Sequence, residues 1–262
     1  MRFRTSSWEK GRSLMENGQR EKKHCTAIVL AAGQGKRMGT SVQKQYIQLD
    51  RHPLIYYTLQ TFEDAQVIDD VILVVGPGQE DYAYQEIVRK YYFTKVKAIV
   101  PGGKERYDSV WNGLKVLKSG ALGEEAKNGY TFIHDGARLF VDEDMLRRGY
   151  ETVEKYRACV AGMPSKDTVK LVDKDGFAEE TPDRKRVWTV QTPQVFETSL
   201  IVEAYSRLMR EDSIEVTDDA MVVEKTMDVP VKLYEGSYRN IKVTTPEDLE
   251  IAKVFLKDRY RF

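Results

Sequence analysis

"TAIVLAAGQGKRMG", residues 26–39, is an aliphatic and β-branched run that stops at a glycine turn carrying two cations. The run reads as a buried strand entering a loop at Gly33. The same shape returns in "DDVILVVG" at 69–76, "KVKAIVPGG" at 95–103, "YTFIHDGA" at 130–137 and "ACVAGMP" at 158–164. Amphipathic stretches separate these runs: "PLIYYTLQTFEDA", "DYAYQEIVRKYY", "YDSVWNGLKVLKSG" and "DEDMLRRGYETVEKY". Apolar strands alternating with such helices predict an α/β fold, a doubly wound, mostly parallel, Rossmann-like sheet covered on both faces. No internal repeat is visible.

Residues 166–187, "KDTVKLVDKDGFAEETPDRKRV", break the pattern. They are charged, alternate in "TVKLV" and carry a turn signal at Asp175-Gly176, which predicts a β-hairpin arm leaving the main sheet. The α/β pattern then resumes with "TSLIVEAYSRLMRE", "DDAMVVEKTM", "VPVKLYEG" and "TPEDLEIAKVFLKDRY". In the last helix Thr245 suits an N-cap, Pro246 the first helical position and Asp248 a capping carboxylate. The expected organisation is one domain over residues 24–262. Residues 1–23, polar and basic without the apolar stretch of a secretory signal, are expected to be a disordered extension or the product of an upstream start.

Of 262 residues, 41% are hydrophobic, enough for a sizeable core, and 31% are charged. Lys plus Arg and Asp plus Glu both number 41, a formal net charge of zero that argues against non-specific nucleic-acid binding. No apolar run approaches bilayer length, so no membrane is expected. Cys25 and Cys159 have no metal or disulfide spacing, which suits a reducing cytoplasm.

A loop after the first strand of such a sheet opens at the carboxyl edge, where ligands bind. Glycines there let backbone N–H groups approach phosphate oxygens. The P-loop pattern fails, because Gly33 to Lys36 is too compact and no Ser or Thr follows Lys36. The dinucleotide fingerprint also fails, with Met38 where its third glycine belongs. The glycines alone fit an ordinary tight turn. Lys36, Arg37 and Lys44, however, crowd a segment with no acid before Asp50, whereas a solvated surface mixes signs. Such charge suits a triphosphate and the charge that develops when its α-phosphorus is attacked.

Other motifs read less sharply alone. Gly102-Gly103 and Ser109 make a second glycine turn entering a helix, either a plain capped loop or a contact for a base or phosphate. Asp135 at a strand end is equally a Mg²⁺ ligand, a helix cap or a partner of Arg138. Thr192 before Pro193 reads as a rigid turn or a plain loop. Lys242 lies at a sheet edge, where an ammonium can meet a phosphate.

Taken in order, "LAAGQGKRMG…KQY", "PGGKERYDSVWNGL", "HDGAR", "KDTVK", "QTPQVF", "TDDA" and "NIKVTTPEDL" resemble the cytidylyltransferases that make CDP-linked polyol phosphates. The resemblance runs from about Thr26 to the C-terminus. It leans toward the methylerythritol phosphate enzymes of non-mevalonate isoprenoid synthesis, with ribitol 5-phosphate enzymes as the alternative. It implies CTP and a polyol phosphate as substrates, Mg²⁺ as cofactor, in-line attack on the α-phosphate and loss of pyrophosphate.

By this resemblance Ala31, Ala32, Gly33, Gly35, Gly102, Gly103, Arg106, Ser109, Asp135 and Gly136 hold the nucleotide, and Asp135 also holds the metal. Arg37 and Lys44 stabilise the α-phosphate, while Arg184 and Lys242 aim the attacking phosphate. Asp135, Arg138, Thr168, Arg184, Thr192, Thr217 and Lys242 form the polyol side, with Asp218 near substrate hydroxyls. The arm is expected to reach a partner subunit in a homodimer, and Arg184 is preferred over Arg186 by its spacing from Trp188. His134 is expected to be structural, because an ionised phosphate needs no general base.

Three positions depart from the family pattern. Gln43 replaces a proline before "KQY", and Leu139 replaces the proline after "HDGAR". Arg239 stands where a carboxylate is frequent, which puts a second metal ligand in doubt. A catalytically silent nucleotide binder and a nicotinamide dehydrogenase are the remaining alternatives.

Overall fold

The computed structural model describes residues 22–33, 35, 43–211 and 215–259. Lys36, Arg37 and nearly all of the expected N-terminal extension lie outside that range. Strand β1 (Cys25–Ala31) is the centre of the molecule. Its aliphatic residues hydrogen-bond in parallel to strands on both sides, and nearly all of the strand is buried. The other strands of the main sheet are β4 (Asp70–Val75), β5 (Val96–Pro101), β6 (Tyr130–Asp135), β7 (Ala158–Pro164), β10 (Trp188–Glu197) and β11 (Lys232–Glu235), with two short pairs, β2 (Gln48–Leu49) with β3 (His52–Pro53) and β8 (Leu171–Val172) with β9 (Ala178–Glu180), outside it. The seven-stranded sheet has the order β11-β7-β10-β6-β1-β4-β5.

Strand β10 runs antiparallel to β6 and β7, making the sheet mostly parallel rather than wholly so. From sequence, its "QTPQVF" segment reads as a rigid turn or a plain loop. The structure corrects this. The register against β7 shifts between Val190 and Gln194, so Pro193 falls in the stretch that takes no part in that pairing.

Helices α1 (Leu54–Asp64), α2 (Glu80–Ala83, continued by a π turn at Tyr84–Arg89), α3 (Arg106–Lys118), α5 (Glu143–Tyr156), α6 (Thr198–Leu208), α7 (Asp219–Met227) and α8 (Pro246–Arg259) follow the amphipathic stretches, and one short helix, α4 (Glu124–Lys127), falls outside them. The period-two alternation of a strand divides them between the faces. Ala27, Val29 and Ala31 of β1 pack with Leu59 and Phe62 of α1 and Met145 and Leu146 of α5. Ile28 faces the other way, into Leu114 of α3, Ile201 of α6 and Val222 of α7. A smaller third cluster joins α8 to Leu49, Leu54 and Leu139. The start of α8 matches its sequence signals, since Asp248 accepts from the backbone N–H of Thr244 and Thr245 at 2.8 and 2.9 Å.

A short two-stranded hairpin forms around the expected turn. β8 and β9 pair antiparallel, Gly176 adopts φ +88°, and Asp173 accepts from the N–H groups of Asp175 and Phe177. At the other edge Lys22 pairs with Asp69 at 2.5 Å and the Lys23 ammonium lies 5.0 Å from the Tyr130 ring centre, so these two residues are tied to the body.

Candidate active site

The carboxyl ends of β1, β4, β5 and β6 open together into a cavity of about 910 Å³. Parallel strands deliver their ends to one edge, which is why loops distant in sequence converge here. Ala31, Ala32, Gly33, Lys44, Gly102, Gly103, Arg106, Ser109, Asp135, Gly136 and Lys242 all line it. Gly35 lies beside it at φ +64°, a left-handed conformation that only glycine adopts freely, packed on the Lys44 backbone and stem.

The second glycine turn is sterically obligatory. A Cβ on Gly102 would fall 2.3 Å from the Ala32 Cβ, and one on Gly103 would fall 2.1 Å from the Asp108 Cβ. The two glycine loops therefore press against one another. Gly102→Ala should displace the first loop, destabilise the fold by about 1–3 kcal/mol and weaken nucleotide binding. Thermal unfolding and titration calorimetry check this, and an unchanged midpoint with unchanged affinity would refute the contact. Ser109 braces the turn from beneath: its hydroxyl accepts from the Gly103 N–H at 3.0 Å and donates to the Glu105 carbonyl at 3.2 Å.

Asp135 is the electrostatic centre. Lys242 Nζ lies 2.8 Å from its Oδ2, Arg106 Nε 3.5 Å from Oδ1 and Arg138 Nε 3.7 Å from Oδ2. Burial by itself pushes its pKa up, but the attraction of Arg106 and Lys242 outweighs burial and holds the carboxyl well below the usual range. The group is ionised at any physiological pH.

Its neighbour His134 is fully buried and differently used. Nε2 lies 3.0 Å from the Arg138 carbonyl, which can only accept, so Nε2 carries the proton. Nδ1 then accepts from the Thr192 hydroxyl at 3.1 Å, and that oxygen accepts the Asp135 N–H at 3.0 Å. Burial drives the His134 pKa down to about 4. In the unfolded chain it titrates near its ordinary value, so folding stability is fully present above about pH 6.5 and declines as pH falls toward 4. The full span corresponds to about 3 kcal/mol for the shift from 6.5 to about 4. His134→Gln should flatten the dependence of the thermal midpoint on pH across that window. An unchanged slope would refute this.

The remaining candidates are placed as follows. Thr192 is buried behind Asp135, its hydroxyl engaged in this network, rather than on the cavity wall. Arg138 is also behind the wall and donates to the Asn240 carbonyl at 2.8 Å. Thr217 is exposed and contacts the Met221 sulfur at 3.9 Å. Asp218 caps α7, accepting from the Met221 N–H at 2.9 Å, and accepts from Gln194 at 3.0 Å. Thr168 and Arg184 sit exposed on the arm, where Arg184 donates to the Lys166 carbonyl at 3.4 Å, and neither lines the cavity of its own chain.

The departures are absorbed structurally. Gln43 accepts from Gln45 at 2.5 Å, Leu139 is fully buried beside α8, and Arg239 pairs with Asp258 at 2.9 Å and lies over the Phe255 ring.

The sequence reading missed two residues. Asp219, fully buried, grips Arg106 with both carboxylate oxygens at 2.9 and 2.8 Å. Asn240, also fully buried, donates to the Thr192 carbonyl at 2.8 Å and anchors the segment carrying Lys242. "TDDA" contained the signal for Asp219, since one carboxylate at a helix start is a cap but a second needs another partner.

A mostly parallel sheet whose carboxyl edge brings paired glycine loops, one ionised carboxylate and lysines into one cleft defines a nucleotidyltransferase-type α/β protein. The sequence profile of the 2-C-methyl-D-erythritol 4-phosphate cytidylyltransferases matches residues 25–258, and the chain belongs to that family. It is 48% identical over 233 residues to the cytidylyltransferase of that name from Lachnospira eligens, covering 88% of this chain and 99% of the relative. Identity to the protein of the same name from Lachnoclostridium phytofermentans is 46% over 237 residues, 90% and 98% of the two chains. Among solved structures, 4-diphosphocytidyl-2C-methyl-D-erythritol synthase from Anaerococcus prevotii superposes with a TM-score of 0.77 at 34% identity, covering 90% and 97%. The cytidylyltransferase from Thermus thermophilus does so with 0.67 at 26% identity, covering 88% and 98%.

Proposed function

We propose that this chain transfers the cytidylyl group of CTP to 2-C-methyl-D-erythritol 4-phosphate, releasing pyrophosphate, in the synthesis of isoprenoid precursors. A phosphate oxygen of the polyol phosphate attacks the α-phosphorus in line. The new P–O–P bond forms as the α–β bridging bond breaks, and the electron pair leaves with pyrophosphate. The attacking oxygen is already anionic, so the protein needs no base, in keeping with a buried, neutral His134. Positioning and charge stabilisation supply the catalysis.

Family membership together with the convergence of Lys44, Lys242 and Asp135 on one glycine-walled cavity carries this reading. Lys44 faces the α-phosphate, a role the sequence resemblance also gives to Arg37, which lies outside the described residues, and Lys242 guides the attacking phosphate. Asp135 suits Mg²⁺ arriving with the triphosphate. The described residues contain no cluster of three potential metal ligands, and a hard dication commonly takes one or two protein carboxylates and fills its shell with phosphate and water. That ion would neutralise developing charge on the phosphates.

The polyol side calls on the arm. Leu171, Val172 and Phe177 are 49%, 56% and 73% exposed there, apolar side chains on an otherwise charged hairpin. A second copy of the chain covers them, and Thr168 and Arg184 serve the cavity of that copy. No described helix is long and apolar enough to cross a membrane, and both cysteines are buried free thiols, in keeping with work in the cytoplasm. The test measures pyrophosphate release from CTP or UTP with methylerythritol phosphate and with ribitol 5-phosphate. Release with CTP and methylerythritol phosphate is expected, and preference for ribitol phosphate would overturn the assignment.

A further inference from the structure

Arg106 stands between two carboxylates and divides itself unequally. Both terminal nitrogens bond Asp219 at 2.9 and 2.8 Å, while Nε lies 3.5 Å from Asp135. Asp135 and Arg106 line the cavity, and Asp219 does not. We propose that Asp219 is a positioning residue, which draws both terminal nitrogens of Arg106 to itself, limits Arg106 to the one long Nε contact with Asp135, and so keeps the Asp135 carboxylate available to the incoming nucleotide and its ion.

The surroundings of Asp219 are built to fix it. It is the first residue of α7, where the helix N-terminus favours negative charge. Asp218 caps the same turn, and Gln194 accepts the Ala220 N–H at 2.9 Å while donating to Asp218 at 3.0 Å. The Tyr205 hydroxyl, packed among α3, α6 and α7, donates to the Asp219 Oδ1 at 2.5 Å. A carboxylate so held presents a planar two-oxygen edge, the shape a guanidinium binds best.

Without that charge the balance reverses. Arg106 is already within reach of Asp135, and in a low-dielectric pocket the freed guanidinium turns to the carboxylate that remains. Lys242 occupies the Oδ2 of Asp135 already. With the terminal nitrogens of Arg106 engaged on it as well, both Asp135 oxygens are held by close cationic donors, and the nucleotide's ion must displace one of them. The pairing thus sets how readily CTP enters, without touching the attacking phosphate.

This inference rests on the cavity being the CTP site, and the experiment separates the two. Calorimetry of the wild-type protein with CTP and Mg²⁺ comes first, and absence of binding overturns the site reading and the inference with it. Given binding, Asp219→Asn should weaken CTP affinity roughly 10–100-fold, the usual effect of losing a supporting partner. KM for the polyol phosphate should stay the same. Equal CTP affinity in Asp219→Asn overturns the role of Asp219 alone. An equal rise in both KM values points to general loosening and overturns it too. Adding Asp219→Asn to Arg106→Met should cause no further loss of CTP affinity, whereas an additive loss shows that Asp219 does not act through Arg106. If these variants fail to fold, Tyr205→Phe keeps the ion pair and removes one hydrogen bond. A smaller loss confined to CTP supports the proposal, and no loss refutes it.

Discussion

Asp135→Asn should give a folded protein whose kcat is lower by a factor on the order of 10³, the upper range for losing one preorganised charge contact. The substitution is nearly isosteric, so the effect isolates charge. Its cost in stability sits at the low end of the 3–5 kcal/mol range for breaking a buried pair, about 3 kcal/mol. Arg106 keeps Asp219, and Lys242, 38% exposed at its side chain, can be solvated. Arg138 is the residue left worst off, since its Nε is buried without a hydrogen bond and has Asp135 as its nearest carboxylate at 3.7 Å.

The sign of the binding effect is the sharper test. Asp135 is a buried negative charge in the wall of a cavity that must hold a polyanion. Neutralising it removes repulsion, so CTP without metal should bind more tightly to the variant than to the wild type. In Mg²⁺ the advantage should shrink or reverse, because the variant has lost the oxygen that receives the ion. Calorimetry with and without Mg²⁺, beside steady-state turnover, reads both effects. Near-normal turnover in Asp135→Asn would remove this carboxylate from the reaction altogether.

The parallel strands and their helices could be read in the sequence because each announces itself locally, as an aliphatic run ending in glycine or an amphipathic stretch with its caps. The β8–β9 hairpin could be read for the same reason, through Asp175-Gly176. Strand β10 could not. Thr192-Pro193 reads locally as a turn or loop, and only pairing with β6 and β7 shows where the register gives way. The site divides along the same line. Residues on the glycine loops could be named from local motifs. The partnership of Arg106 with Asp219 spans 113 residues, and that of Lys44 with the Val243 carbonyl spans 199. Nothing in a local pattern encodes such contacts, which arise only when the sheet delivers separate loops to one edge. Thr192 shows the converse. Its motif drew attention, but its hydroxyl supports the backbone of Asp135 from behind.

Lys44→Ala is expected to lower kcat by roughly 10²–10³, about 2.7–4 kcal/mol of barrier, with a smaller rise in the KM for CTP. Lys44 opens the short 3₁₀ turn Lys44–Tyr46 on the cavity wall. Its stem supports the glycine loop at Gly35, and its ammonium donates to the neutral Val243 carbonyl at 3.2 Å. Val243 in turn donates its N–H to the Ala137 carbonyl, so the ammonium is referenced to the strand end that carries Asp135. The charge is thereby held near the place where the α-phosphorus gains a fifth oxygen. An interaction that strengthens as charge builds there appears in kcat, whereas one equally strong on bound CTP appears only in KM. Lys44→Met, which keeps the apolar stem, separates packing from charge: it should match Lys44→Ala in kcat but lose less stability. If both variants raise KM and leave kcat intact, Lys44 merely tethers the triphosphate. If both turn over normally, the positive charge beside the glycine loop has no part in the chemistry.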